Sequence, residues 1–193
     1  MKVAFTIIGE PASNPDVILA LDLGTQCGYA LRDGDRVVSG SKSFHVKQLQ
    51  HPGARFAKFR AWLTKMKAER PEISHVVYEV VMGHGPGQVF AAHAFGGFQA
   101  VLQEFCYYNS MTFEHFGVST IKKQFAGSGR AQKCDVIAQC RALGFLPADD
   151  NEADAIALLH VATKTAPLLT MSGATPKGKR LPKVMPETAG DPF

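Results

Sequence analysis

The sequence lacks the features that would place it in several common classes of protein. No apolar run approaches the roughly 18 residues of a transmembrane helix, so no membrane partner is expected. The four cysteines show no CxxC spacing, which is typical of reduced cytoplasmic thiols and argues against a disulfide framework or a zinc site. No GxxxxGKS or GxxxxGKT segment is present, which excludes a P-loop nucleotide site.

Excess charge of one sign is also scarce. The 193 residues carry 21 basic and 17 acidic side chains, a net charge of +4, which permits nucleic acid as a partner without requiring it. Five of the basic residues lie beyond residue 163, and five more lie between residues 119 and 141. Hydrophobic residues make up 46% of the chain, which is enough to bury the core of one α/β domain.

Strand-like and helix-like segments alternate along the middle of the chain. Val17–Leu21 and Val76–Met82 are short apolar runs typical of strands buried on both faces. Asp33-Gly34-Asp35 is a strong hairpin-turn signal between two further strands, 29–31 and 36–43. A fifth strand is predicted over 112–116, and apolar periodicity predicts helices over 53–70, 88–108, 122–125, 131–143 and 151–163.

This alternation predicts one α/β domain with a sheet of mixed strand direction over residues 17–163. Residues 1–16 are interpreted as an N-terminal extension. From residue 164 the sequence is basic, rich in proline, glycine, serine and threonine, and without periodicity. Residues 164–193 are therefore predicted to be a largely flexible tail.

Three acidic residues lie where acids are costly. Asp22 ends the apolar run VILALD, Glu79 lies between valines in HVVYEVVM, and Asp154 lies in the almost wholly apolar helix EADAIALLHVA. Each residue alone has an ordinary explanation, such as a cap, an edge position or an ion pair. Burying an unpaired carboxylate costs several kcal/mol, so three of them in core-like segments indicate convergence on one cation.

Oxygen-only ligands select hard cations, which makes Mg²⁺ the expected cofactor, with Mn²⁺ as a substitute. Two such ions about 4 Å apart would neutralise the carboxylates and assist an in-line displacement at phosphorus. Asp149 and Glu152 have the spacing of a helix capping box and are interpreted as structural. Asp150 and Asn151 lie four and three residues before Asp154, so either of them is a candidate fourth ligand on the same helix face.

A basic segment with a Gly-Ser-Gly loop precedes the acidic helix. Glycines allow close approach of the backbone to a phosphate, and the helix that follows offers N–H groups at its start. A solvated loop with ordinary surface lysines is the alternative interpretation. The predicted DNA-binding residues of this segment are Lys122, Lys123, Gly127, Gly129, Arg130 and Lys133. His84, in the glycine-rich loop after Glu79, is a weaker candidate for contact with substrate.

In this order along the chain, the motifs resemble those of RuvC-like Holliday-junction resolvases, most closely the compact phage or prophage type. The similarity covers residues 17–163, and the glycine–lysine block followed by the acidic helix is its specific part. The matching segments are Asp22-Leu-Gly-Thr with Gly28-Tyr-Ala, Tyr78-Glu79, Ile121-Lys122-Lys123 with Gly127-Ser-Gly129-Arg-Ala131-Gln-Lys133, and Asn151-Glu-Ala-Asp154-Ala.

The resemblance implies an RNase H-like fold, in which helices flank a central mixed five-stranded sheet. It also implies a homodimer that nicks two opposed strands of a four-way DNA junction in the cytoplasm of a bacterial or phage-infected cell. Asp22, Glu79 and Asp154 would be metal ligands, and Lys122 and Lys133 would be catalytic or DNA-contacting lysines.

The sequence departs from the family pattern at the fourth ligand, which is Asp or His in the family and falls on Asn151 here. Asp150, the amide oxygen of Asn151 or a water are the open alternatives. The leading hypothesis is a two-metal endonuclease for branched DNA. A binder of branched DNA without catalysis is the second hypothesis. An ATPase or sugar kinase, which also opens with Asp-x-Gly-Thr after a strand, is the third, although 193 residues are too few for both halves of that fold.

Overall fold

Five strands and five helices follow one another in the computed structural model, which describes residues 17–47, 51–81 and 88–170. The strands are β1 (Val17–Asp22), β2 (Gln26–Asp33), β3 (Arg36–Ser43), β4 (His75–Val80) and β5 (Thr112–Gly117). The helices are α1 (Ala54–Glu69), α2 (Val89–Tyr108), α3 (Val118–Ala126), α4 (Lys133–Ala142) and α5 (Asp150–Thr170). All five predicted strands and all five predicted helices are present, with ends shifted by a few residues.

The strands form one mixed sheet in the order β3-β2-β1-β4-β5. β1, β2 and β3 are consecutive antiparallel neighbours, whereas β4 runs parallel to both β1 and β5. Parallel neighbours need a crossover connection, and α1 and α2 supply the two that are required. The predicted mixed five-stranded sheet flanked by helices is therefore confirmed.

The alternation of side chains along β1 divides the core into two layers. Val17, Leu19 and Leu21 face the layer that includes Phe59 of α1 and Phe98 of α2. The alternate residues of β1 face a second layer, which is formed by α3, α4 and α5. Because successive side chains point to opposite faces, the next residue after Leu21 faces the α5 layer.

Helix α5 extends beyond the predicted end of the domain at residue 163 and reaches Thr170. The tail predicted to begin at 164 is thus helical over its first part. Residues 163–166 contain no helix breaker, so the helix continues through them with one more hydrogen bond for each residue fixed. Pro167 also lies inside the helix and donates no backbone hydrogen bond, because it lacks an N–H. The extension 1–16 and the rest of the tail, 171–193, lie outside the described residues.

The four cysteines are unpaired, as predicted; Cys134 is exposed and the other three are buried. Among the described residues, none of the helices combines the length and the hydropathy of a membrane span.

Candidate functional site

Asp22 and Glu79 lie side by side where two parallel strands end. The register pairs Leu21 of β1 with Tyr78 of β4, so the residues that follow are also neighbours. Tyr78 belongs to the core layer of α1 and α2, and the side chain of Glu79 therefore points the other way, as that of Asp22 does. Asp154, in the second turn of α5, covers this same face.

The electrostatics of Asp22 link it to the other acids. Burial, together with the negative charges of Glu79, Asp154 and Asp150, raises the pKa of Asp22 to about 8. The positive charge of Lys133 acts in the opposite direction. The structure therefore brings four acidic residues from three separate parts of the sequence into one electric field.

The pKa values of the other two predicted ligands are also raised. Burial, followed by the charge of Asp154, raises the pKa of Glu79 to about 7. Burial likewise raises the pKa of Asp154, and Lys122 and Lys133 lower it. Lys122 also lowers the pKa of Glu79, so one lysine from α3 and one from α4 flank the acids.

The donor set fits a hard divalent cation. Asp22, Glu79 and Asp154 offer only carboxylate oxygens, and burial and mutual repulsion oppose their ionisation unless positive charge lies among them. Within the described ranges, no group of three or more His, Cys, Asp or Glu side chains is yet arranged around a single ion position.

The first turn of α5 holds both candidates for a fourth ligand. Asp150 forms an ion pair with Lys133, which lowers the pKa of Asp150. The backbone carbonyl of Asn151 instead packs against Gly28 of β2. Asp150 thus acts on Asp22 by its charge and on Lys133 by contact, and the choice of fourth ligand stays a prediction.

The capping role assigned to Asp149 and Glu152 is confirmed. The backbone N–H of Glu152 donates to Asp149 Oδ1 at 2.9 Å, and that of Ala148 donates to Glu152 Oε2 at 2.8 Å. Both carboxylates also accept hydrogen bonds from serine hydroxyls of β3, at Ser39 and Ser41. These serines were not among the predicted residues, although their alternate positions in one strand indicate a shared face.

The loop between α3 and α4 only partly agrees with its predicted role as a phosphate cradle. Gly127 ends α3 with a φ of 79°, and Gly129 packs against the carbonyl oxygen of Ser119. At the start of α4, however, the backbone N–H of Gln132 donates to Asp135 Oδ2 at 2.8 Å. This carboxylate engages the N–H of the N-cap residue, so an anion at that N–H would meet a negative charge; phosphate binding by the other N–H groups of the helix start stays a prediction.

The cationic side chains of the segment face outward. Lys123, Arg130 and Lys133 are exposed, and Lys122 is half-buried beside the acids. Their predicted role as DNA contacts stays a prediction. His84 lies outside the described residues.

Comparison with solved structures gives related folds. The chain is similar to RuvC of Thermus thermophilus in complex with a Holliday junction substrate, with a TM-score of 0.67 and 19% identity over 80% of this chain and 96% of that one. A second structure of Thermus thermophilus RuvC gives a TM-score of 0.62 at 19% identity, covering 80% and 97%. The yeast mitochondrial Holliday junction resolvase Ydc2 gives 0.60 at 9% identity, covering 84% of each chain.

No protein-family model matches the sequence, and no curated protein matches it. At these identities the shared property is the fold. The resemblance to RuvC-like resolvases that the motifs indicated is confirmed at that level, because the chain has the RNase H-like architecture of these structures.

Proposed function

We propose that this protein is a metal-dependent endonuclease that resolves Holliday junctions or other branched DNA. The observation that carries the proposal is the convergence of Asp22, Glu79 and Asp154 on one face of the sheet. The fold supports the choice of substrate, since a protein of the same architecture is known in complex with a Holliday junction. The enzyme would be a crossover junction endodeoxyribonuclease, and its product would be a nicked junction strand.

Asp22, Glu79 and Asp154 would hold Mg²⁺, or Mn²⁺ in its place, with Asp150 or Asn151 as a further ligand. Bound as a pair, these ions supply Lewis-acid activation of water and neutralisation of charge at a phosphodiester. The chain itself supplies positive charge, because Lys133 lies beside the acids and would donate to the phosphate at which negative charge develops.

Binding of the DNA backbone is assigned to Lys122, Lys123 and Arg130, with the glycines at 127 and 129 allowing the strand to approach. Such contacts neutralise phosphates without reading sequence, which suits a substrate recognised by its branching. Two protomers are part of the proposal, since one junction offers two opposed strands to cut and each chain carries one acid cluster.

The test is cleavage of synthetic four-way junctions by the purified full chain in Mg²⁺, compared with linear duplex of the same sequence. We expect paired nicks in the junction, none in the duplex, and none with EDTA. Equal cleavage of junction and duplex would contradict the structural selectivity. Absence of cleavage with every branched substrate, in both Mg²⁺ and Mn²⁺, would contradict the nuclease.

A branched-DNA-binding protein without catalysis is the second candidate. It is favoured by Asn151, which stands where the motif resemblance implies an acidic residue or histidine, and by the ion pair that already engages Asp150. Tight binding of the junction without cleavage in either metal would favour this candidate over the first.

A further inference from the structure

The start of α5 is fixed against the β2–β3 hairpin by contacts that lie outside the acid cluster. We propose that Gly28, Ser39 and Ser41, here named the hairpin clamp, are positioning residues that set Asp154 and the first turn of α5 against Asp22. The inference rests on the proposed function, because it takes the acid cluster as the working site.

Gly28 is the point of closest approach between strand and helix. It pairs with Asp22 on one side and with Ser41 on the other, so the three residues form a row across the sheet. A Cβ on Gly28 would lie 1.8 Å from the carbonyl oxygen of Asn151, whereas real Cβ contacts essentially never fall below 3.0 Å. Any side chain at this position would therefore push α5 away by more than about 1 Å.

The two serines hold the same helix end by hydrogen bonds. Ser41 Oγ accepts from Gln26 Nε2 at 3.2 Å and donates to Asp149 Oδ2 at 2.5 Å. Ser39 Oγ donates to Glu152 Oε1 at 2.7 Å. Glu152 is only 8% exposed, so its carboxylate depends for compensation on the donors that contact it, the Ser39 hydroxyl and the backbone N–H of Ala148.

Asp154 lies a few residues beyond the clamped segment, on the same rigid helix. A displacement near 1 Å in a catalytic constellation can cost about 10²-fold in rate, and partners that orient metal ligands are worth about 10–100-fold in metal affinity. Ser39 and Ser41 bond the carboxylates of Glu152 and Asp149, which point away from Asp22 and towards β3. The clamp would therefore act by holding the helix, and with it Asp154, in position.

The experiment compares the double variant Ser39→Ala/Ser41→Ala with Ser39→Thr/Ser41→Thr, which restores both hydroxyls. Hydrogen–deuterium exchange of peptides over 149–155 reports on the helix end, and Mn²⁺ titration followed by electron paramagnetic resonance reports on the acid cluster. Ser43→Ala is the matched control, because Ser43 lies in the same strand and accepts from the His45 N–H instead. Gly28→Ala is compared with Gly96→Ala, whose Cβ would meet nothing within 4 Å.

We expect exchange about 10-fold faster and Mn²⁺ affinity about 10–100-fold lower in the alanine pair, with both restored to within about threefold in the threonine pair. Gly28→Ala should lose more Mn²⁺ affinity than either serine double variant. If Gly28→Ala does not fold, the two serine double variants alone test the clamp. Unchanged exchange and affinity in the folded alanine pair would overturn the clamp, as would equal losses in the alanine and threonine pairs.

The exchange measurement keeps this inference separate from the proposed function. A wild-type protein that binds Mn²⁺ but cuts no DNA would contradict the nuclease, and the two readouts would still decide the clamp. A wild-type protein that binds no Mn²⁺ would contradict the metal-dependent function, and exchange at the start of α5 would then decide the clamp alone.

Discussion

Replacing Asp22 with asparagine is expected to abolish DNA cleavage and, in the absence of metal, to stabilise the protein. The loss of cleavage should exceed about 10³-fold, because the central carboxylate of the three would no longer bind a cation with full charge. The gain in stability follows from burial, which, together with three neighbouring acids, raises the pKa of Asp22 to about 8. Asparagine keeps the shape of the side chain and removes the charge.

The gain in stability should depend on pH. In the unfolded chain Asp22 ionises near its ordinary pKa of 3.8, whereas in the folded protein it keeps its proton up to about pH 8. Between these values the folded state binds more protons, so each rise of one pH unit lowers the wild-type free energy of unfolding through this residue by on the order of 1 kcal/mol. Asp22→Asn removes this fall in the free energy of unfolding, because asparagine does not ionise.

Thermal unfolding in EDTA at about pH 5 and pH 8 measures this effect. Asp22→Asn should unfold at a higher temperature than wild type, by a wider margin at the higher pH. Added Mg²⁺ should raise the midpoint of the wild type and leave that of the variant nearly unchanged. Asp35→Asn, an exposed acid in the β2–β3 turn, is the control. A variant less stable than wild type at pH 8 in EDTA would contradict the shared electric field of the cluster.

Removing Lys133 is expected to slow cleavage far more than it weakens binding. Lys133 is exposed, pairs with Asp150, and acts by its charge on Asp22 and Asp154. Lys133→Ala should lower kcat by about 10²-fold, since one positive charge beside the developing phosphate charge is lost. Junction affinity should change by less than about threefold, because this residue is one of several phosphate contacts.

Cleavage under single-turnover conditions and junction binding in Ca²⁺ separate the two effects. Lys65→Ala, on α1 at the other face of the sheet, is the control and should change neither. Lys133→Arg should retain part of the rate because it keeps the charge. Equal losses of rate and affinity in Lys133→Ala would contradict the catalytic role and leave Lys133 as an ordinary DNA contact.

The alternation of side chains along β-strands made much of the candidate site predictable from the sequence. Asp22 and Glu79 each follow a buried apolar strand, and the alternation of side chains decides that both face α5. Asp154 could be predicted as a candidate ligand because a carboxylate in an apolar helix requires a partner. The capping pair was found because Asp149 and Glu152 have the spacing that a helix start requires.

Contacts between distant segments were not predictable in this way. The approach of Asn151 to Gly28 depends on how closely α5 packs on β2, which no local pattern encodes. In the sequence, Ser39 and Ser41 are ordinary polar residues of an edge strand. Only the folded structure shows that they contact the start of α5. The hydrogen bond by which Asp135 caps α4 was not predicted, because the residues before α4 have the composition of a loop. The continuation of α5 to Thr170 was not predicted, because the sequence from residue 164 has the composition of a flexible tail.

Anomalous scattering from crystals soaked in Mn²⁺ would show whether the three carboxylates form one cation site. We expect one or two manganese peaks within coordination distance of the Asp22, Glu79 and Asp154 carboxylates, and no such peaks in crystals of Asp22→Asn. Manganese bound elsewhere, with no peak among these three carboxylates in the wild type, would contradict a shared cation site.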